Sequence, residues 1–335
     1  MIKIKIYELE KHRNETTFRP FLFAKDLFRE IGVEFVTEGK ADFAFVGQAS
    51  FINKKVSLEE SIQQGLNFLK TVKEPYFLFD GQDAATLIGS YEVFVNSSAI
   101  YLFKNSLYKN KTDYQKKSVN GRIYWSEGDY NISTLDKFDR IKLSHTNWLS
   151  TLQPNWHSYC KNKQYDISAM FSVFIKDTFE HNINQSIEYT KHRKKVFDNL
   201  DVKYRTAKLD GNTKVSLQEY YNRMYNSIIT LAPYGFGEIA VRDLESAMLG
   251  SILLKPNMDH LETLPNIYIP NVTYVDCRHD FTDLNDRIEF ILNDFENLTH
   301  FYVENMKERY SVEYNPTKLV MYYYDIFKNL KGVTV

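Results

Sequence analysis

The sequence predicts an α/β architecture in two consecutive halves, each a parallel sheet with helices on both faces. Three observations lead there. Short apolar runs bounded by turn residues alternate with segments of helical periodicity, the pattern of repeated β-α-β units whose sheets are covered on both sides. The chain has 335 residues, which at ~150 residues per domain makes roughly two domains. The alternation also breaks once, in polar text from about Tyr108 to Ser150, and then restarts.

In the first half, Ile2 to Tyr7 is a β-prone run. Phe21, Ala24, Leu27, Phe28 and Ile31 then recur at helical spacing, with Gly32 at the stop position. DFAFVG at 42–47 reads as a buried strand. Ser57 and Glu60 form a capping box for a helix towards Lys73, which Pro75 ends. YFLF at 76–79 is a second buried strand and runs directly into DGQD at 80–83. A helix-like stretch then reaches AIYLF at 99–103.

The second half opens with the apolar run ISAMFSVFI at 167–175. KHRKK at 191–195 shares a helix pattern with Ile187, Val196 and Leu200. A helix around Leu217 to Tyr225 leads to the strand IITLA at 228–232 and then to PYGFGE. Arg242 to Leu249 is helical and ILLKP at 252–256 is a strand. Leu284, Ile288, Leu292 and Phe295 mark an amphipathic helix capped by Asp283, and Lys318 to Leu330 forms a last helix rich in aromatics. No internal repeat or low-complexity segment is evident.

Composition narrows the function classes. Forty-two basic and 43 acidic side chains leave a net charge of -1, without the basic excess that marks nucleic-acid or anionic-membrane binders. Two cysteines, Cys160 and Cys277, are too few for a disulfide framework or a thiolate metal site and suit a reducing compartment. No apolar run approaches the ~20 residues of a membrane-spanning helix, and Met1 opens onto IKIKIYELEKHR rather than the apolar block of a signal peptide. The expectation is a cytoplasmic protein without a transmembrane segment. No histidine pair has metal-ligand spacing, and neither a Gly-x-Ser-x-Gly elbow nor a Walker loop is present.

Glycine is scarce, at 13 residues, so its placement carries information. Gly235, Gly237 and Gly250 cluster in the segment LAPYGFGEIAVRDLESAMLGSILLKPNMDHLETLPNIYIP, residues 231–270. Read physically, this is strand, glycine turn, helix, glycine, strand. A turn that presents backbone N–H groups at a helix N-terminus is an anion site. Arg242 in that helix is placed to add a charge-assisted contact to phosphate, and Glu245, one turn on, to accept hydrogen bonds from ribose hydroxyls. The competing reading is a plain β-α-β unit whose glycines only make a turn, since the third glycine of the dinucleotide signature is absent.

Tyr234, Gly235, Gly237, Glu238, Arg242, Asp243, Glu245, Gly250, Lys255, Pro256, Met258, His260, Leu261, Glu262, Thr263, Pro265 and Asn266 follow one another in an order that resembles the donor-binding half of GT-B glycosyltransferases. The likeness is to a bacterial and viral group with the pattern YGxGE…RDxE…KPDMxHLET. Asn257 departs from it, standing where Asp is usual. FDGQD at 79–83 and TNWLSTLQP at 146–154 extend the match weakly into the first half.

The resemblance implies two Rossmann-like domains facing each other across a cleft: an acceptor-side domain at 1–163, a donor domain at 164–310, and a C-terminal helix at 311–335 that packs back on the first domain. It implies transfer of a sugar from a UDP- or GDP-linked donor to a glycan or lipid-linked glycan hydroxyl in surface or viral glycan synthesis, without a cofactor. Tyr234, Gly235, Gly237, Glu238, Arg242, Glu245, His260 and Glu262 would form the donor site, with Arg193 as a second phosphate contact. Arg193 equally suits a solvated basic face, and His260 a structural role.

Many retaining GT-B enzymes carry two glutamates separated by seven residues. Aligning Glu245 with the second puts Gly237, not an acid, at the first, and Glu238 misses by one. An inverting reaction is therefore expected, and with no Asp-x-Asp a metal-independent one, in which cations and helix dipoles stabilise the leaving diphosphate. Its general base should stand at the C-terminal end of a first-half strand. Asp83 is the preferred candidate and Asp80 the second, with His12 and Glu10 behind them. Asp80-Gly81 as a turn and Asp83 as a helix cap are the plainer alternatives. The competing functions are a nucleotide-sugar epimerase of GT-B-like fold and a non-catalytic glycan- or nucleotide-binding module.

Overall fold

The computed structural model describes residues 1–9, 12–53, 55–116, 118–119, 122–123, 132, 134–146, 155–157, 160–173, 183–209 and 214–328. Glu10, most of TNWLSTLQP and the end of ISAMFSVFI lie outside them, as does the side chain of His12.

In chain order the strands of the first half are β1 (Ile2–Tyr7), β2 (Val33–Val36), β3 (Phe43–Gly47), β4 (Tyr76–Asp80), β5 (Leu102–Lys104), β6 (Ser106–Tyr108), β7 (Ser118–Val119), β8 (Arg122–Ile123) and β9 (Ile141–Leu143). Six of them form a parallel sheet in the order β2-β1-β3-β4-β5-β9. The second half contributes β10 (Tyr165–Ala169), β11 (Thr206–Lys208), β12 (Ser227–Leu231), β13 (Ile252–Pro256), β14 (Leu261–Thr263) and β15 (Val275–Cys277). Five of these form a second parallel sheet, β11-β10-β12-β13-β15. The central strands β4, β12 and β13 are buried at every residue, as continuous apolar runs in doubly covered parallel sheets must be. Each sheet reverses its winding after its first strand, and in such sheets the crevice at the carboxyl ends beside that reversal is where ligands bind. In the second sheet it lies between β10 and β12.

Aromatic packing accounts for much of the composition. Phe18, Phe21, Phe45, Phe77, Phe79 and Phe103 pack on one face of the first sheet. Leu319, Val320, Tyr323 and Phe327 of the helix Pro316–Lys328 close over them, with Phe21 and Tyr323 ring centroids 4.6 Å apart. The last described helix thus packs on the domain in which the chain begins. The opposite face of that sheet shares a continuous apolar core with Tyr234, Ile239, Leu244, Leu253 and Leu261 of the second half.

The halves are also joined through hydrogen bonds. Strand β14 pairs antiparallel with β6, Leu261 opposite Tyr108 and Thr263 opposite Ser106. The Thr146 N–H donates to the Leu264 carbonyl at 2.6 Å.

Several expected boundaries move. AIYLF narrows to a strand at Leu102–Lys104, and ISAMFSVFI begins earlier, at Tyr165, and ends at Ala169. The polar stretch after Tyr108 contains the short strands β7, β8 and β9. Ser57 caps its helix as expected, accepting from the Glu60 N–H at 3.2 Å. Asp283 does not cap: it precedes the helix Leu284–Asn293, but its carboxylate accepts from the Arg278 N–H at 2.8 Å and Arg287 Nε at 3.1 Å. The helix Phe295–Glu313 was not expected, because its buried positions Thr299, Tyr302, Met306 and Tyr310 sit in otherwise polar text.

His145 follows β9 under the C-terminal helix, 4% exposed, its N–H donating to Tyr323 Oη at 3.4 Å. Burial pushes its imidazole down from 6.5 to about 3. The unfolded chain therefore takes up this proton first as pH falls. Stability should drop between pH 6.5 and 3 with a contribution of ~1.4 kcal/mol per pH unit from this group. Urea denaturation as a function of pH should show that slope, and His145→Gln should flatten it by about one proton.

Candidate active site

The crevice of the second domain is organised from below by one buried cation. Lys255, on β13, is 1% exposed, and its Nζ donates to Asp243 Oδ2 at 2.6 Å and to the Glu238 carbonyl at 2.7 Å. The same Asp243 oxygen accepts from Tyr268 Oη at 2.7 Å and from the Ala240 N–H at 3.0 Å. One side chain thus ties the glycine turn, the start of the helix Val241–Met248 and β13 together. Burial pulls the Lys255 ammonium down while Asp243 pulls it up. Burial, reinforced by the Asp243 charge, drives the Tyr268 phenol well above its ordinary value.

Above this pair the turn is tightly held. Tyr234 is 1% exposed; its hydroxyl donates to the Asn257 carbonyl at 2.8 Å and its N–H to His192 Nε2 at 3.2 Å. Arg193 Nε donates to the Tyr234 carbonyl at 3.1 Å, and its Nη1 to the Ser172 carbonyl at 2.8 Å. Its guanidinium lies 3.9 Å from the Tyr189 ring centroid and 5.5 Å from that of Phe171. A Cβ on Gly235 would come 3.3 Å from Arg193 Nη2. Lys191, Lys194 and Lys195 are exposed, so Arg193 and His192 are the members of KHRKK that turn towards the glycine turn.

Arg242 approaches the same ring from the other helix. Its Nη2 donates to the Met170 carbonyl at 2.9 Å and its Nε to Tyr220 Oη at 3.2 Å, and the guanidinium carbon lies 5.8 Å from the Phe171 centroid. Two guanidiniums therefore bracket the residues that follow β10, at the reversal point of the sheet. Glu245 is almost fully buried and accepts from Tyr220 Oη at 3.1 Å and Tyr221 Oη at 2.9 Å. Burial and this carboxylate push the Tyr221 phenol up to about 12.

The facing wall belongs to the first domain. Asp83 is exposed, and its backbone occupies the place a side chain at Gly237 would take: a Cβ there would lie 2.1 Å from the Asp83 carbonyl oxygen. Glu238, 1% exposed, accepts from the Ala85 N–H at 3.2 Å. Asp80 lies deeper, with a side chain that has no solvent exposure, 3.4 Å from Lys104 Nζ and accepting from the Gln82 N–H at 2.8 Å. Enclosed in this ion pair, Asp80 shapes the strand end, whereas Asp83 is exposed and packs its main chain on Gly237.

His260 and Glu262 sit on the bridge between domains. The His260 carbonyl accepts from the Lys109 N–H at 3.0 Å, and its ring lies among Tyr108, Tyr234 and His279 at 6.2, 6.4 and 5.5 Å. Glu262 is the exposed residue of β14, opposite Leu107. Sequence reasoning missed His192, His279, Phe171 and the Tyr220–Tyr221 pair. The signal for the tyrosines was their place at the start of a helix whose partner strand leads into the glycine turn. Among the described residues, no group of three or more His, Cys, Asp or Glu could hold a metal ion, and no helix is long and apolar enough to cross a membrane.

No protein-family model matches the chain, and no curated protein matches it by sequence. Solved structures do. The fold is similar to that of a sucrose-phosphate synthase from Thermosynechococcus elongatus, with a TM-score of 0.53, 10% identity and 100% of both chains covered. It is more loosely similar to Anabaena HepE in complex with UDP-glucose, at a TM-score of 0.48 and 10% identity over 98% of this chain and 100% of that one. A glycosyltransferase from Rickettsia africae follows at a TM-score of 0.42 and 11% identity over 99% of each chain. The chain has the GT-B fold: two Rossmann-like α/β domains facing each other across a cleft.

If Lys255–Asp243 is the foundation of the crevice, removing one charge strands the other. Asp243→Asn should destabilise the protein by about 3–5 kcal/mol in urea denaturation. Glu245→Gln, which keeps an acceptor oxygen for one tyrosine and can donate its amide to the hydroxyl oxygen of the other, should cost much less.

Proposed function

We propose that this protein transfers a sugar from a nucleotide-diphosphate donor, UDP- or GDP-linked, to the hydroxyl of a glycan or lipid-linked glycan acceptor, with inversion at the anomeric carbon and without a metal. The observation that carries this reading is the pairing of two walls at one point. Arg193 and Arg242 bracket Phe171 at the reversal of the second sheet, and the adjoining glycine turn rests on the backbone of Asp83 from the first domain.

In this reading the diphosphate lies at the N-terminus of the helix Val241–Met248, where the helix dipole and the two guanidiniums favour negative charge. Glu245, already an acceptor for two hydroxyls, takes those of the ribose. Tyr234 and His260 line the sugar side of the donor, and Glu262 stands at its rim. Asp83 takes the proton of the acceptor hydroxyl as that oxygen bonds to the anomeric carbon. The bond from that carbon to the diphosphate oxygen breaks, and its electron pair leaves with the nucleotide. Arginine and helix dipole stabilise the charge that develops there. Glu238 points at the first domain rather than standing where the retaining signature places its first acid, which supports inversion.

Two variants separate the roles. Arg242→Ala should weaken nucleotide diphosphate binding by about 1.5–3 kcal/mol, read by calorimetry; unchanged affinity in the folded variant would remove Arg242 from the site. Asp83→Asn should lower turnover by about 10²–10⁴-fold with donor affinity nearly unchanged. Wild-type turnover in that variant would place the base elsewhere, and a product of retained configuration by NMR would overturn inversion.

A further inference from the structure

Glu238, expected in the donor site, also makes a contact with the other domain that a donor site does not by itself require. It is a carboxylate at 1% exposure, and burying an ionised group without compensation is costly. Its Oε2 crosses between domains to the Ala85 N–H, 153 residues away in sequence. Its own carbonyl receives the Lys255 ammonium, so the residue is anchored in the second domain before it reaches the first. Next to it, Gly237 lies so close to Asp83 that a Cβ would come within 2.1 Å of the Asp83 carbonyl oxygen and 2.7 Å of the Asp83 Cβ. Lys104 reaches the same loop from beneath, donating to the Gln82 carbonyl at 2.6 Å while paired with Asp80. The segment 82–85 is thus held at Gln82 by its own domain and at Asp83 and Ala85 by the other.

We propose that Glu238 is a positioning residue: through the Ala85 N–H it holds the loop that carries Asp83 in register with the glycine turn, so the donor domain sets the place of the general base. The assignment of Asp83 as base rests on the transfer reading above; the clamp itself does not. Geometry explains why a long side chain ending in an acceptor oxygen is needed. Lys255 fixes the backbone at Glu238 from below, and the side chain must then span the gap to a main-chain donor on the opposite domain. Loss of that acceptor leaves a buried N–H unpaired and frees the loop on one side.

The test is amide hydrogen exchange of a peptide spanning residues 81–89, measured on the whole protein as wild type, Glu238→Ala and Glu238→Gln, alongside donor affinity and turnover. Glu238→Ala should exchange there about tenfold faster or more, whereas Glu238→Gln, which keeps an acceptor oxygen, should stay near wild type. Turnover in Glu238→Ala should fall about ten- to a hundredfold with nucleotide affinity unchanged, and adding Asp83→Asn should cost less than it does alone. Unaltered exchange in a folded Glu238→Ala protein would overturn the clamp. So would a loss of donor affinity as large as the loss of turnover, because Glu238 would then act on the donor. If wild-type protein transferred no sugar while Glu238→Ala still loosened 81–89, the transfer reading would fail and the clamp would stand.

Discussion

A buried ammonium group is the constraint from which the second domain's crevice is built. Lys255 stands on a strand covered on both faces, where a charge persists only with an opposite charge and hydrogen bonds around it. Asp243 and the Glu238 carbonyl supply them, and in doing so they fix both ends of the segment between the glycine turn and the helix that follows. Tyr268 and the Ala240 N–H converge on the same carboxylate oxygen. The turn therefore cannot relax independently of the sheet beneath it. Arg242 and Glu245, in the first and second turns of the helix, inherit their places from that anchor.

The turn is also the point at which the two domains meet. Gly237 packs on the main chain at Asp83, Glu238 reaches Ala85, and β14 completes a two-stranded sheet with β6 a short distance away. A shared apolar core runs beneath these contacts. In the conformation described, the groups assigned to the donor and the candidate base are parts of one continuous assembly. The helix Pro316–Lys328 adds a second tie, packing on the aromatic face of the first sheet.

Much of this was legible in the sequence because it is local. The apolar strands, the helix cap at Ser57 and the strand–turn–helix–strand order around Gly235 are patterns of neighbouring residues, and they lie within a few residues of where the structure has them. What was hidden depends on contacts distant in sequence. Gly237 marked the turn, but nothing in the sequence says that the main chain at Asp83 packs against it. Asp80 and Asp83 read alike at a strand end until Lys104, 24 residues further on, encloses one of them. The helix at 295–313 buries only a thin stripe, so its pattern is weak, and Asp283 looked like a cap until two arginines claimed its carboxylate. The pairing of β6 with β14 joins segments more than 150 residues apart, beyond any local signal.

The most direct test of the account is calorimetric titration of wild-type protein with UDP, GDP, dTDP and CMP in turn. The account predicts saturable binding of UDP or GDP at one site per chain, with the matching nucleoside binding far more weakly because the arginines and the helix N-terminus act on the diphosphate. Binding of none of the four, or equal affinity for a nucleotide and its nucleoside, would contradict it.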